Sequence, residues 1–179
     1  TKFIDWCRQQ KHIRTIGYLE GNHEFYLASE RFQAFAWCTR EAWYRDEAGL
    51  LLTHGDQINR KDRRYLLFNK LIKNDITKYI LRYLPYGPDI ASSVKRQLKK
   101  TNAKFRIQIP WDEIRLFAAD RFAEGVDTIL VGHFHQESVL PNHESKKLYI
   151  LPDWLSTQKV TVYEKTSKKL AVMHWKDLA

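Results

Sequence analysis

Two short apolar runs constrain this chain more than any other feature. They are Ala48-Gly49-Leu50-Leu51-Leu52-Thr53 and Thr128-Ile129-Leu130-Val131. Neither alternates apolar with polar residues, as a half-exposed strand does, and neither is long enough for a helix. Runs of this kind are strands buried on both faces, which is the situation inside an α/β layer structure. Each run stops at histidine beside glycine: His54-Gly55-Asp56 after the first, Gly132-His133-Phe134-His135 after the second. Ile13 to Leu19 reads as a further strand and runs into Glu20-Gly21-Asn22-His23-Glu24.

The remaining elements follow from spacing. Phe3, Trp6, Cys7 and Gln10 fall at helical intervals near the N-terminus. Tyr65, Phe68, Ile72, Tyr79 and Tyr83 lie close to one helical stripe, which Pro85-Tyr86-Gly87-Pro88 interrupts. Ser92 to Lys100 reads as a second, basic helix. Pro110 opens a third, carrying Trp111, Ile114, Phe117 and Phe122 on one face and ending at Gly125. Leu148–Leu151, Val160–Tyr163 and Leu170–Trp175 read as a closing antiparallel set. The chain is therefore expected to be a body, residues 1–57 and 127–179, interrupted by a basic helical insertion or cap, residues 58–126.

Charge is concentrated in that insertion. The whole chain carries +9, yet Ile58 to Arg106 holds fourteen basic and three acidic residues, a net of +11 that leaves the rest at −2. Such a segment attracts phosphate, whether on a nucleotide, a nucleic acid or an anionic membrane. Other classes are excluded. Cys7 and Cys38 are too few for a disulfide scaffold or a cysteine zinc finger. No apolar run approaches the roughly 20 residues of a membrane-spanning helix, and no signal peptide is visible, so the simplest compartment is the cytoplasm.

Four of the seven histidines sit in the three strand-end motifs. A strand end is a rigid mount, and the neighbouring glycine permits a sharp turn or close approach. In extended backbone, His133 and His135 would direct both rings to one face and hold one metal or reach two. Imidazole with amide oxygen suits Mn, Fe, Zn or Ni rather than Ca. Each motif alone is ordinary; three in this order, each after an apolar run, point to a metal site. His12, His143 and His174 lack that context and read as surface or satisfied residues.

The ordered set Gly-Asn-His-Glu, His-Gly-Asp, Gly-His-x-His resembles the calcineurin-like metallophosphoesterases. That resemblance implies a four-layer αββα sandwich with a two-metal site that hydrolyses phosphoesters. The basic insertion and Leu151-Pro152-Asp153-Trp154, close to Leu-Gly-Asp-Trp, are most similar to the UDP-2,3-diacylglucosamine hydrolases of lipid A synthesis. From the resemblance, Asn22, His54 and His133 are expected to ligate one metal and His135 the other. His23 would contact the scissile phosphate and protonate the leaving group, with Glu24 its neighbour. Two divalent ions, foremost Mn with Fe, Zn or Ni as alternatives, would activate hydroxide to cut the substrate into UMP and 2,3-diacylglucosamine 1-phosphate. Lys95, Arg96, Lys99, Lys100, Lys104 and Arg106 would meet substrate phosphates or anionic lipid, giving peripheral attachment to the inner membrane.

The superfamily's earlier Asp-x-His and Gly-Asp motifs do not precede Asn22, so the chain is expected to be the C-terminal two-thirds of a longer protein. The lipid A hydrolases often carry Arg at the position of His23, which favours a rival reading: a metallophosphoesterase for another nucleotide or phosphodiester. Two other readings explain less. A basic nucleic-acid-binding module leaves the histidine motifs unused, so no nucleic-acid partner is expected. A structural zinc protein built on His54, His133 and His135 predicts one tightly held metal and no hydrolysis.

Overall fold

A computed structural model of the chain describes residues 2–22, 24, 32–39, 41, 43–86, 93, 109–141 and 146–178. Two compact units emerge from the pattern of contacts. The first comprises Thr1–Arg40 with Asn59–Pro110, the second Glu41–Ile58 with Trp111–Ala179.

In the first unit, α1 (Lys2–Gln10) buries Ile4 and Cys7, one turn apart, against Ala34 and Phe35, with Ile16, Tyr18 and Cys38 closing the cluster. Phe3 and Trp6 lie outside this face, exposed and stacked on each other. Strand β1 (Gly17–Leu19) pairs in parallel with β2 (Trp37–Thr39). The Trp37 indole occupies the space a Cβ on its register partner Gly17 would need, so glycine is required there. The expected strand from Ile13 is shorter than its apolar run. Ile13 N–H is turned back onto Gln10 O at 2.9 Å, so that residue closes the helix instead.

The tyrosine stripe forms two helices rather than one, α2 (Arg63–Ile72) and α3 (Asp75–Tyr83). Asn74 makes the break: its side chain accepts from Thr77 N–H at 2.7 Å, the N-cap bond that starts a new helix. Asp62 caps α2 in the same way through Tyr65 N–H at 3.0 Å. Tyr65 is buried, whereas Tyr79 and Tyr83 are 65% and 68% exposed, so the stripe is core in α2 and surface in α3. The basic helix expected over Ser92–Lys100, with Lys95, Arg96, Lys99, Lys100, Lys104 and Arg106, lies outside the described residues apart from residue 93, as does His143.

The second unit is built on a five-stranded mixed sheet ordered β3-β4-β5-β7-β6. Its strands are β3 (Trp43–Arg45), β4 (Leu50–Thr53), β5 (Thr128–Val131), β6 (Ser138–Pro141) and β7 (Lys147–Ile150). The three central strands β4, β5 and β7 run parallel, and an antiparallel strand lies at each edge. Both diagnostic apolar runs are central strands, and every residue of β5 is buried. Helix α4 (Trp111–Ala123) buries Ile114, Phe117, Ala118 and Phe122, and ends before Gly125 at φ +86. Next come a short helix α5 (Trp154–Thr157) and the hairpin β8 (Lys159–Glu164) with β9 (Lys169–His174).

The closing antiparallel set is therefore corrected: of its three strands β8 and β9 pair with each other, whereas β7 lies in the five-stranded sheet, parallel to β5 and antiparallel to β6. Leu148 and Ile150 are fully buried, as a central strand needs. Ile129 in the middle of β5 has no exposed surface. Ile129→Ala is expected to destabilise the unit by about 2–5 kcal/mol, read by denaturant titration.

The turn between β3 and β4 rests on Asp46, which accepts from Leu50 N–H at 2.9 Å, Ala48 N–H at 3.2 Å and Lys165 Nζ at 2.7 Å. Burial pushes this carboxyl up, but those donors outweigh it and hold it below the ordinary value. A depressed carboxylate stabilises the fold fully above its unfolded pKa of about 3.9 and loses that contribution as pH falls through the folded value. Asp46→Asn is therefore expected to flatten the acid limb of a stability–pH curve below about pH 4. An unchanged acid limb would contradict this assignment.

No helix among the described residues is long and apolar enough to cross a membrane.

Candidate metal centre

Register places the carboxyl ends of the three parallel strands side by side: Thr53 is opposite Val131, and Val131 is opposite Ile150. The residues that follow, 54–56, 132–135 and 151–153, therefore leave the same edge of the sheet. In open α/β sheets this edge is where ligands bind. Gly132 N–H donates to Thr53 O at 3.2 Å, and Leu151 N–H to Val131 O at 2.8 Å, so adjacent strand exits are tied together.

The local backbone is unusual where the chemistry is expected. Gly55 adopts φ +99, and a Cβ there would come within 2.7 Å of Val131 Cγ1 and 3.4 Å of His133 Cβ. His133 and His135 both adopt left-handed backbone, φ +68 and +57. This corrects the extended His-x-His arrangement: β5 ends at Val131, and the chain coils beyond it. The two rings consequently serve different neighbours. His133 faces His54, with ring centroids 5.1 Å apart and planes at 64°. His135 turns to Asp153, with Nδ1 3.0 Å from Oδ1.

Two carboxylates orient the histidines. Asp56, buried, lies with Oδ1 2.9 Å from His54 Nδ1. Asp153 holds His135 and also caps α5. An ionised carboxylate only accepts, so each pair assigns the proton to Nδ1 and leaves Nε2 with its lone pair outward. Hydrogen bonds from the Ser156 hydroxyl and then His135 pull the Asp153 carboxyl down to about 2; desolvation opposes them, and the Leu155 and Ser156 amides add smaller downward effects. Neither aspartate stood out as a functional residue by sequence. Asp56 follows His54 by two positions, and Asp153 is followed by Ser156 at the interval of an N-cap, which was the available signal.

A divalent cation fits this donor set in part. Imidazole Nε2 paired through Nδ1 to a carboxylate is the usual form of a metal-ligating histidine. Two rings sharing an ion at about 2.1 Å from each nitrogen bring their centroids to roughly the separation seen for His54 and His133. Among the described residues no three His, Cys, Asp or Glu side chains converge tightly enough to hold an ion by themselves. The geometry thus provides a histidine pair and not a complete ligand shell.

Asn22 belongs to the first unit, in the turn after β1. Glu24 shapes that turn by accepting from Gly21 N–H at 2.8 Å, and Lys73 Nζ donates to Gly21 O at 2.7 Å. His23 lies outside the described residues. Cysteine chemistry is disfavoured: burial raises the Cys7 thiol, and burial with the Glu20 charge pushes Cys38 up to about 11.

Comparison with known proteins agrees with the strand-end motifs. No family model matches the chain. Curated relatives named UDP-2,3-diacylglucosamine hydrolase match over most of it. The protein of Pseudomonas entomophila (strain L48) is 26% identical over 153 residues, 78% of this chain and 62% of its own length. That of Pseudomonas putida (strain W619) is 28% identical over 165 residues, 82% and 65% of the two lengths. That of Azotobacter vinelandii is 28% identical over 159 residues, 76% and 60%. The chain thus spans 60–65% of the length of these relatives. The resemblance to that family, seen first in the motifs, holds along the sequence.

Proposed function

We propose that this chain carries the metal-binding part of a hydrolase that cuts the pyrophosphate of UDP-2,3-diacylglucosamine, giving UMP and 2,3-diacylglucosamine 1-phosphate. The observation that carries the reading is the His54–His133 pair at adjacent parallel strand ends, with aspartates fixing His54 and His135 through Nδ1. The names of the relatives supply the substrate. His54, His133 and Asn22 would hold one divalent ion and His135 a second, with Mn the first choice and Fe, Zn or Ni the alternatives. Bound there, such ions supply Lewis acidity toward a phosphate oxygen and acidify water near neutral pH. Imidazole ligates a metal in its uncharged form, so an ion held by His54 and His133 would keep its positive charge for the phosphate to balance. His23 would stand beside the leaving oxygen and give it a proton.

The wider architecture follows the same reading. On that reading residues 1–57 and 127–179 would make the body of an αββα sandwich and residues 58–126 a basic helical insertion, of which α4 belongs to the same compact unit as the β4–β5 sheet. Exposed Ile76, Tyr79, Ile80 and Tyr83 on α3 support an acyl-chain or membrane-facing role. Lys95, Arg96, Lys99, Lys100, Lys104 and Arg106 would neutralise phosphate or anionic lipid, so the enzyme works in the cytoplasm against the inner membrane. His23, where the family often has Arg, favours a second reading in which the substrate is another nucleotide or phosphodiester.

The test is release of UMP from UDP-2,3-diacylglucosamine, with and without Mn²⁺, beside a generic phosphodiester. It is run on the chain together with any residues its gene places before Thr1. Mn-dependent release of UMP is the expected result. Turnover of the generic ester alone would move the assignment to the second reading, and turnover of neither would overturn both.

A further inference from the structure

Asp153 makes four close polar contacts with two oxygens. Oδ1 lies 3.0 Å from His135 Nδ1 and accepts from Leu155 N–H at 3.2 Å. Oδ2 accepts from Ser156 N–H at 3.1 Å and from Ser156 Oγ at 2.6 Å. Three of these contacts cap α5, and capping needs only a side-chain oxygen, which serine supplies as well as aspartate. The fourth reaches eighteen residues back to the loop after β5, and there the choice of aspartate matters. A carboxylate accepts without donating, so it selects one imidazole tautomer, whereas a hydroxyl does not. Asp56 does the same for His54 at 2.9 Å, again through Nδ1. His135 has a 65% exposed side chain and left-handed backbone, so little packing restrains its ring apart from this contact.

We propose that Asp153 is a positioning residue that holds His135 as the Nδ1–H tautomer, with Nε2 presented to a divalent cation. The cation part rests on the metal reading given above; the tautomer part does not. The rigid cap makes the arrangement firm. Because both oxygens are already committed to α5, the carboxylate cannot rotate away from His135 without breaking the first turn of that helix.

The experiment separates the cap from the histidine. Asp153→Ser keeps a capping oxygen and loses the carboxylate; Asp153→Ala loses both. Side-chain ¹⁵N NMR of the metal-free chain at about pH 8.5, well above imidazole titration, reads the His135 tautomer, with assignment by difference against His135→Gln. Mn²⁺ affinity is measured by calorimetry and stability by thermal melting. The wild type is expected as Nδ1–H. The serine variant should shift His135 toward Nε2–H and bind Mn²⁺ about 10–100-fold more weakly, the usual loss for an outer partner of a metal-bound histidine. It should melt like the wild type, and the alanine variant should melt lower. A serine variant that keeps both the Nδ1–H tautomer and wild-type affinity overturns the proposal and leaves Asp153 a cap alone. A shifted tautomer with unchanged Mn²⁺ affinity overturns its cation part. A wild-type chain that binds no Mn²⁺ yet shows the Asp153-dependent tautomer supports positioning and overturns the metal reading.

Discussion

Alanine at His54 is expected to remove Mn-dependent release of UMP while the fold persists. His54 is half-buried at the exit of β4, with Nδ1 on Asp56 and its ring against His133. Losing it deletes a proposed direct ligand, so the fall in turnover should exceed the roughly 100-fold attached to losing an outer partner. His133→Ala should behave alike, because the two rings form one unit. His174→Ala is the control. Its Nδ1 accepts from Lys176 N–H just past the end of β9, away from the strand-end motifs, and turnover should be unchanged. Far-UV circular dichroism and melting curves report that the variants remain folded. Retained turnover in either His54→Ala or His133→Ala would remove the metal assignment, whatever the substrate proves to be.

Gly55→Ala should damage stability and site together. The backbone at φ +99 disfavours any side chain. The new Cβ would also meet Val131 Cγ1 at 2.7 Å, within a strand that is wholly buried and has no room to yield. A cost of about 2–4 kcal/mol is expected from strain and overpacking combined. The nearest atoms after Val131 are Gly132 O at 3.3 Å and His133 Cβ at 3.4 Å, so relief of the clash pushes directly on the histidine pair. Mn²⁺ affinity should therefore fall as well, measured well below the variant's melting point. A variant with wild-type melting and affinity would show that the loop accommodates a methyl group without moving His133.

Why some of this was legible in the sequence and some was not has a physical basis. Strands β4 and β5 are central, so both faces demand apolar residues and the run itself announces the strand. The α4 face was equally plain, because Ile114, Phe117 and Phe122 have only one way to be buried together. Strands β2, β3 and β6 were not legible. Each has three or four residues, β3 and β6 are sheet edges, and β6 ends in Pro141, which edge strands tolerate. The split between α2 and α3 turned on a single capping side chain, Asn74, which hydropathy does not register. At the site, residue types and order singled out His54 and His133, and the fold brings their rings together. The roles of Asp56 and Asp153 depend on a coil after the strand that brings distant carboxylates to Nδ1, and spacing alone does not encode that coil.

The left-handed backbone at His133 and His135 has a consequence for laboratory evolution. A non-glycine residue there carries about 1 kcal/mol of strain that glycine would relieve. In chelator, His133→Gly is expected to melt slightly higher than the wild type. With Mn²⁺ in excess the order should invert, since bound metal adds stability only to the chain that can hold it. A thermostability selection run without metal would thus reward erasing the histidine, and the same selection run with Mn²⁺ would preserve it.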